Sequence, residues 1–230
     1  MKKLLFLALL VLGAAPLAAV AESGPQLMTP HYHFDRPTIR EGARLFAEHC
    51  FSCHSMSRIR YNRLETDLGM SAKTLKQDIM LPSGAQLNKG MVVTMRPKDA
   101  TKWFGVAPPD LSLEARYRGV DWIYTYLMSF YRDPSRPTGF NNHVFPKVAM
   151  PDVLAPLQGI RAKDGSVIEK GSVSPQVFDQ DMQYITAWLQ YASDPSKLER
   201  DSIGPWVIAF LVVFTILAYA LKRAVWRDVH

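Results

Sequence analysis

The chain has 230 residues, 48% of them hydrophobic and 21% charged, a balance that excludes intrinsic disorder and leaves room for one medium domain or two small ones. Its formal net charge of +6 falls to +2 once Lys2 and Lys3 near the start, and Lys222, Arg223 and Arg227 with Asp228 near the end, are set aside. No basic run is interleaved with aromatics either, so the high pI of about 9.3 is not a nucleic-acid footprint, and nucleic acid is excluded as a partner.

Met1-Lys2-Lys3 is a short cationic start, followed by the apolar run Leu4 to Leu12 and then by small residues ending in Ala19-Val20-Ala21. That is the anatomy of a cleavable secretory signal over 1–21, which predicts a mature chain beginning at Glu22 outside the cytoplasm. From 22 to 202 the pattern predicts a mainly helical domain with long loops. Pro37 precedes a helix over Thr38 to Cys50, with Ile39, Leu45 and Phe46 on one face and Gly42 placed to let another helix approach. Asp121 is positioned to cap a second, strongly aromatic helix over Trp122 to Tyr131, ahead of Pro134 and Pro137. Asp164-Gly165, between Ile160 and Val167-Ile168, predicts a small hairpin. Val177 to Ala192 is a third helix, with Phe178, Met182, Ile185, Trp188 and Leu189 at three- and four-residue steps. Ser193 to Asp201 is polar and predicts a linker. Residues 203–221 then run 19 positions without a charge, roughly 28 Å as a helix, which suits one membrane crossing. Trp206, Tyr219 and Trp226 are placed as interfacial aromatics, and Lys222, Arg223 and Arg227 put the tail, 222–230, on the cytoplasmic side. Leader and anchor together predict a bacterial inner-membrane protein with its domain in the periplasm.

The chemistry is concentrated in Cys50-Phe51-Ser52-Cys53-His54, which holds both cysteines of the chain. Three apart near a helix end, the two thiols face one side and can add across the two vinyl groups of a single porphyrin. The next histidine then comes up beneath the iron, so attachment and ligation are coupled. Cys-x-x-Cys-His is the signature of covalent haem c attachment. Three other uses compete. A thiol oxidoreductase has no need of His54, a zinc site wants a second Cys/His cluster that the chain lacks, and a structural disulfide is the plainest alternative. Among candidates for the sixth position of the iron, Met150 stands in a proline-bounded loop, Phe145-Pro146-Lys147-Val148-Ala149-Met150-Pro151. Met91, Met95, Met128, Met182 and His143 remain rivals, since most methionines fill cores.

Four stretches taken together carry a likeness. They are Cys50-Phe51-Ser52-Cys53-His54-Ser55-Met56; Ala107-Pro108-Pro109-Asp110-Leu111-Ser112 with Ala115-Arg116; Asn142 through Phe145-Pro146 to Met150-Pro151; and the anchor with Tyr219, Lys222-Arg223 and Trp226. In this order and over nearly all of the mature chain, the sequence resembles cytochrome c1, the haem-bearing membrane subunit of the quinol–cytochrome c reductase (bc1) complex. The resemblance implies a mainly α, cytochrome c-like haem domain with long loops and a single C-terminal transmembrane helix. It implies one covalent haem c on Cys50 and Cys53, with His54 and Met150 as iron ligands. It also implies Arg116 beside a haem propionate, and Pro108 and Pro109 as a stiff pocket wall. The expected partners are cytochrome b and the Rieske iron–sulfur subunit, a soluble or anchored cytochrome c as acceptor, and membrane lipid. The expected role is an electron relay that is no enzyme by itself. The alternative is a stand-alone anchored carrier feeding an oxidase or a nitrogen-oxide reductase. The chain departs from the family in having Lys147 where glycine often follows Phe-Pro, in Tyr61-Asn62-Arg63 where Tyr-Arg is common, and in lacking an identifiable acidic docking face.

Overall fold

The structure is a computed structural model describing residues 25–79 and 85–227; the expected leader and the last three residues of the tail lie outside them. Its framework is two crossed helices. Helix α1, Arg36–His49, starts where the Asp35 carboxylate accepts a hydrogen bond from Thr38 N at 3.0 Å and Pro37 occupies the first turn. It buries Ile39, Gly42, Ala43, Leu45, Phe46 and Ala47 on one face. Near the other end of the domain, Pro175–Ser193 forms the longest domain helix, capped by Ser174 Oγ on Val177 N. It buries Phe178, Met182, Ile185, Trp188 and Leu189, the stripe that its spacing predicts. These two helices make the most extensive contact in the fold. Gly42 sits at their crossing, where a Cβ would collide with the Tyr184 carbonyl and crowd Trp188 Cβ.

Between them the chain forms short elements. β1, Met56–Arg60, pairs antiparallel with β2, Gly90–Met91, and α2, Tyr61–Leu68, ends on the left-handed Gly69. The turn α3, Ala72–Thr74, runs into a π-helical turn over Leu75–Ile79. α4, Pro97–Phe104, α5, Glu114–Arg118, and α6, Val120–Met128, follow. Two further antiparallel ribbons join β3, Phe130–Arg132, to β4, Phe140–Asn142, and β5, Gly159–Arg161, to β6, Val167–Lys170, with α7, Ala155–Gln158, leading into β5. The second of these ribbons is the hairpin expected around Asp164-Gly165. The Pro175–Ser193 helix is α8, and Lys197–Val225 is α9.

Two expectations need correction. The aromatic helix does not run from an Asp121 cap to Tyr131: it begins after Gly119, holds Asp121 in its first turn, and stops at Met128. Phe130 and Tyr131 belong to β3 instead, registered against Asn142 and Asn141. The turn closed by Asp133 N on the Gly139 carbonyl returns the chain at that point, and ribbon pairing overrides the helical pattern. Likewise, most of the expected linker is helical. Only residues 194–196 separate α8 from α9, braced by the Arg200–Asp194 ion pair at 2.6 Å. α9 contains the whole apolar run, with its large side chains exposed, as one membrane-crossing helix requires.

Because Gly42 lies against backbone rather than a flexible side chain, Gly42→Ala should force the two framework helices apart. The expected loss is about 1–3 kcal/mol of stability, read as a lowered thermal midpoint of the purified protein. An unchanged midpoint would show that the crossing tolerates a methyl group.

Candidate functional site

The attachment motif begins where α1 ends. Cys50 is the C-cap, with its N–H on the Phe46 carbonyl at 2.9 Å. Its own carbonyl accepts from both Cys53 N at 3.1 Å and His54 N at 2.9 Å, which winds the pentapeptide into a tight turn. Phe51 is buried and rests on Phe46, their ring centroids 6.1 Å apart, so the turn is anchored to the core from within. Both cysteines are free thiols, and burial, with Cys53 nearby, pushes the Cys50 thiol up to about 12. Among the described residues no three His, Cys, Asp or Glu side chains gather as a zinc site would need.

His54 is held by a second segment. Its Nδ1 lies 2.9 Å from the Pro109 carbonyl, which can only accept, so Nδ1 carries the proton. Burial lowers the imidazole's pKa and favours the neutral ring, which leaves the Nε2 lone pair free for a metal. Residues 109–112 are fastened alongside the motif. Leu111 N donates to Ser55 O, the Asp110 carboxylate accepts from Ser57 N and Ser112 N, and Ser112 Oγ accepts from Arg58 N. Burial opposes ionisation of Asp110, but the hydrogen bonds from Ser112 and Ser57 hold its carboxyl below the ordinary value. Pro108 and Pro109 stand in this irregular segment, ahead of α5, with Pro109 supplying the carbonyl.

Met150 lies across α6. Its Sδ accepts a hydrogen bond from Tyr126 Oη at 3.3 Å. Trp122 stacks on Tyr126 with ring centroids 5.1 Å apart, and Phe145 meets Trp122 edge-on at 6.2 Å. The loop that carries Met150 is fixed by two buried asparagines at the end of β4. Asn141 Oδ1 accepts from Lys147 N at 2.8 Å, while Asn142 Oδ1 accepts from Val144 N and Phe145 N. Asn142 Nδ2 donates to the Tyr126 carbonyl at 2.8 Å, tying loop to helix. From outside, Arg136 Nη2 donates to the Lys147 carbonyl at 2.9 Å. Lys147 itself has φ +64, the only described non-glycine residue with positive φ, which accounts for glycine often standing there. Of the rival methionines, Met91 and Met182 are fully buried core residues, and His143 packs on Tyr131 at 4.6 Å.

The two arginines of α5 part company. Arg116 is exposed, and its charge acts on Asp194 at the end of α8. Arg118 lies over the Trp122 ring, 4.2 Å from its centroid and 5.4 Å from that of Phe145, and pairs with Glu114 at 3.2 Å. Glu114 in turn acts on His54, and Arg118 on Tyr126, so α5 bridges the histidine side to the methionine side. Arg118, Trp122, Tyr126 and the asparagine pair were not singled out as site residues from the sequence. The four-residue steps from Arg118 to Trp122 to Tyr126 were a signal that they share one face.

Residues 26–229 match the model of the Cytochrome C1 family. A cytochrome c1 of Allochromatium vinosum is 41% identical, with the alignment covering 100% of both chains. The ammonia monooxygenase gamma subunit of Nitrosomonas europaea is 37% identical over 100% of this chain and 99% of its own length. A cytochrome c1 of Rhodospirillum rubrum is 32% identical over 85% of this chain and 83% of its own.

The positive φ at Lys147 makes a specific forecast. Lys147→Gly should relieve left-handed strain and stabilise the haem-loaded protein by about 1 kcal/mol, whereas Lys147→Val should destabilise it. Denaturant midpoints check both, and equal midpoints for the two variants would show that no strain is stored there.

Proposed function

The chain belongs to the cytochrome c1 family, and on that premise we propose that it relays single electrons through one covalent haem c within a quinol–cytochrome c reductase. The donor is the Rieske iron–sulfur subunit and the acceptor a cytochrome c; the quinol chemistry belongs to the complex. The observation that carries the reading is His54 with its Nδ1 engaged by Pro109, one residue after a pair of free cysteines at attachment spacing. Cys50 and Cys53 would hold the porphyrin covalently, and His54 Nε2 and Met150 Sδ would ligate its iron. When bound, the haem supplies a one-electron iron couple.

The protein's residues fit that group by their chemistry. The Pro109 carbonyl fixes the His54 tautomer and makes Nε2 more basic. Met150 offers a soft thioether that favours ferrous iron, on a loop whose backbone is pinned at Asn141 and Asn142. Tyr126 Oη would keep the thioether oriented between ligation and release. With His54 and Met150 both committed to the iron, the chain's own residues would need little rearrangement as an electron passes. For the propionates, Arg116 is the residue implied by family pattern; Arg118, on the same short helix, is already paired with Glu114 and lies over Trp122. Residues 22–202 form the periplasmic haem domain after removal of 1–21, residues 203–221 cross the inner membrane beside cytochrome b and lipid, and 222–230 are cytoplasmic. The alternative is an anchored carrier serving another membrane enzyme, a reading favoured by the similarity to a chain named as an ammonia monooxygenase subunit.

A reduced-minus-oxidised spectrum of the protein purified in mild detergent separates the two. A c-type band accompanied by b-type haem supports the reductase, and c-type haem that stays alone under gentle extraction supports the separate carrier. Met150→Ala should keep the haem attached and lower its potential by on the order of 100 mV, given the reach of axial ligation over haem potentials. An unchanged potential removes Met150 from the ligand set. Arg116→Gln should lower the potential more than Arg118→Gln, because loss of a cation beside a propionate destabilises the reduced form and Arg118 is already paired with Glu114; the opposite order moves the role to Arg118. Cys50→Ser or Cys53→Ser should impair covalent attachment, seen as loss of haem staining on a denaturing gel.

A further inference from the structure

The chain leaves the attachment site and returns to it within one short excursion. At its start, Val93 N donates to Ser55 Oγ at 3.1 Å; at its end, the Pro109 carbonyl meets His54. The residues between them carry α4, and of that helix only Ala100 is buried. Trp103 and Val106 are 64% and 53% exposed, a large apolar pair standing in the open on the excursion that ends at the His54–Pro109 contact. A tryptophan held out of the core is a common anchor of protein–protein contacts. The charge along the neighbouring segments is predominantly positive. The β1 strand and residues 89–110 carry six cations, Arg58, Arg60, Lys89, Arg96, Lys98 and Lys102, against two carboxylates, Asp99 and Asp110. Both carboxylates are engaged locally, Asp99 by Arg96 at 2.7 Å and Asp110 by backbone N–H groups. Lys98 and Lys102 are exposed and have no ion-pair partner among the described residues. The balance reverses elsewhere: residues 151–202 hold five cations against eight carboxylates.

We propose that the excursion 94–107, centred on Trp103 and ringed by Lys98 and Lys102, is the docking platform for an acidic soluble electron-carrier protein. The proposal rests on the electron-relay reading above and adds the sign and place of the acceptor's contact. An acceptor must approach the rim of the haem site, and both ends of this segment are hydrogen-bonded to that rim. An apolar centre within a charged ring is the anatomy of a transient interface: the ring steers the encounter and the tryptophan is desolvated on contact. A basic carrier would meet like charge here, which costs association rate instead of raising it.

The test uses the membrane-extracted complex, reduced through quinol, and follows reoxidation of its c-type haem by stopped flow. The two acceptors are a basic c-type cytochrome and the same cytochrome made acidic by succinylation of its lysines. At low salt the acidic form should react roughly tenfold faster or more, and its rate should fall as ionic strength rises, while the basic form's rate rises. Lys98→Glu with Lys102→Glu should reverse that preference, and Trp103→Ala should slow the acidic form at high salt as well. A native preference for the basic form, or charge reversal that leaves both rates unchanged, overturns the proposal. So does a variant that slows haem reduction by quinol in place of reoxidation, since the platform would then serve the donor. All rates are read on complexes whose haem spectrum matches that of the unmodified chain, so loss of the cofactor is distinguished from loss of the dock.

Discussion

The hydrogen bond from His54 Nδ1 to the Pro109 carbonyl is the constraint around which the site is arranged. It selects the tautomer, and it joins two segments more than 50 residues apart. Once it is made, the neighbouring bonds follow in register: Leu111 to Ser55, Ser57 to Asp110, Arg58 to Ser112. A proline carbonyl suits this use, because the ring fixes φ on its own side and the residue has no N–H to divert the backbone into other pairing. The wall expected of Pro108 and Pro109 thus acquires a definite chemical part, as an acceptor more than as an apolar surface.

The methionine side is built by a different device. The loop that carries Met150 is held by side-chain amides in place of secondary structure. Asn141 and Asn142 are buried, and each satisfies backbone donors of the loop that have no ladder to join. The arrangement is tight enough to keep Lys147 in a left-handed conformation that costs free energy for any residue with a Cβ. Local strain beside a ligand loop is consistent with the rest of the structure over-determining that loop's path.

Charge and anchoring complete the functional picture. The whole domain is close to neutral, yet its cations concentrate around the attachment site and its carboxylates on the later segments. For a relay, encounter rate matters more than affinity, since a partner that binds too well leaves too slowly. Helix α9 joins the domain after only three non-helical residues, which keeps the domain close to the start of the apolar span. A short, ion-paired junction also limits how freely the domain can turn.

Much of this was legible in the sequence, and the reason is locality. The haem motif, the apolar span, the stripe of α8 and the 164–165 turn each depend on residues within a few positions of one another, where covalent geometry and periodicity settle the outcome. Where local pattern and long-range pairing compete, the sequence misled: the aromatic run continued as a helix on propensity, but Tyr131 pairs with Asn141 in a ribbon, and polar residues before the span became helix once the span extended them. The asparagine clamps on the Met150 loop and the turning of Arg118 toward Trp122 while Arg116 stays exposed were decided only by tertiary structure. Each is a choice between chemically equal side chains, made by which neighbours the folded chain brings within reach.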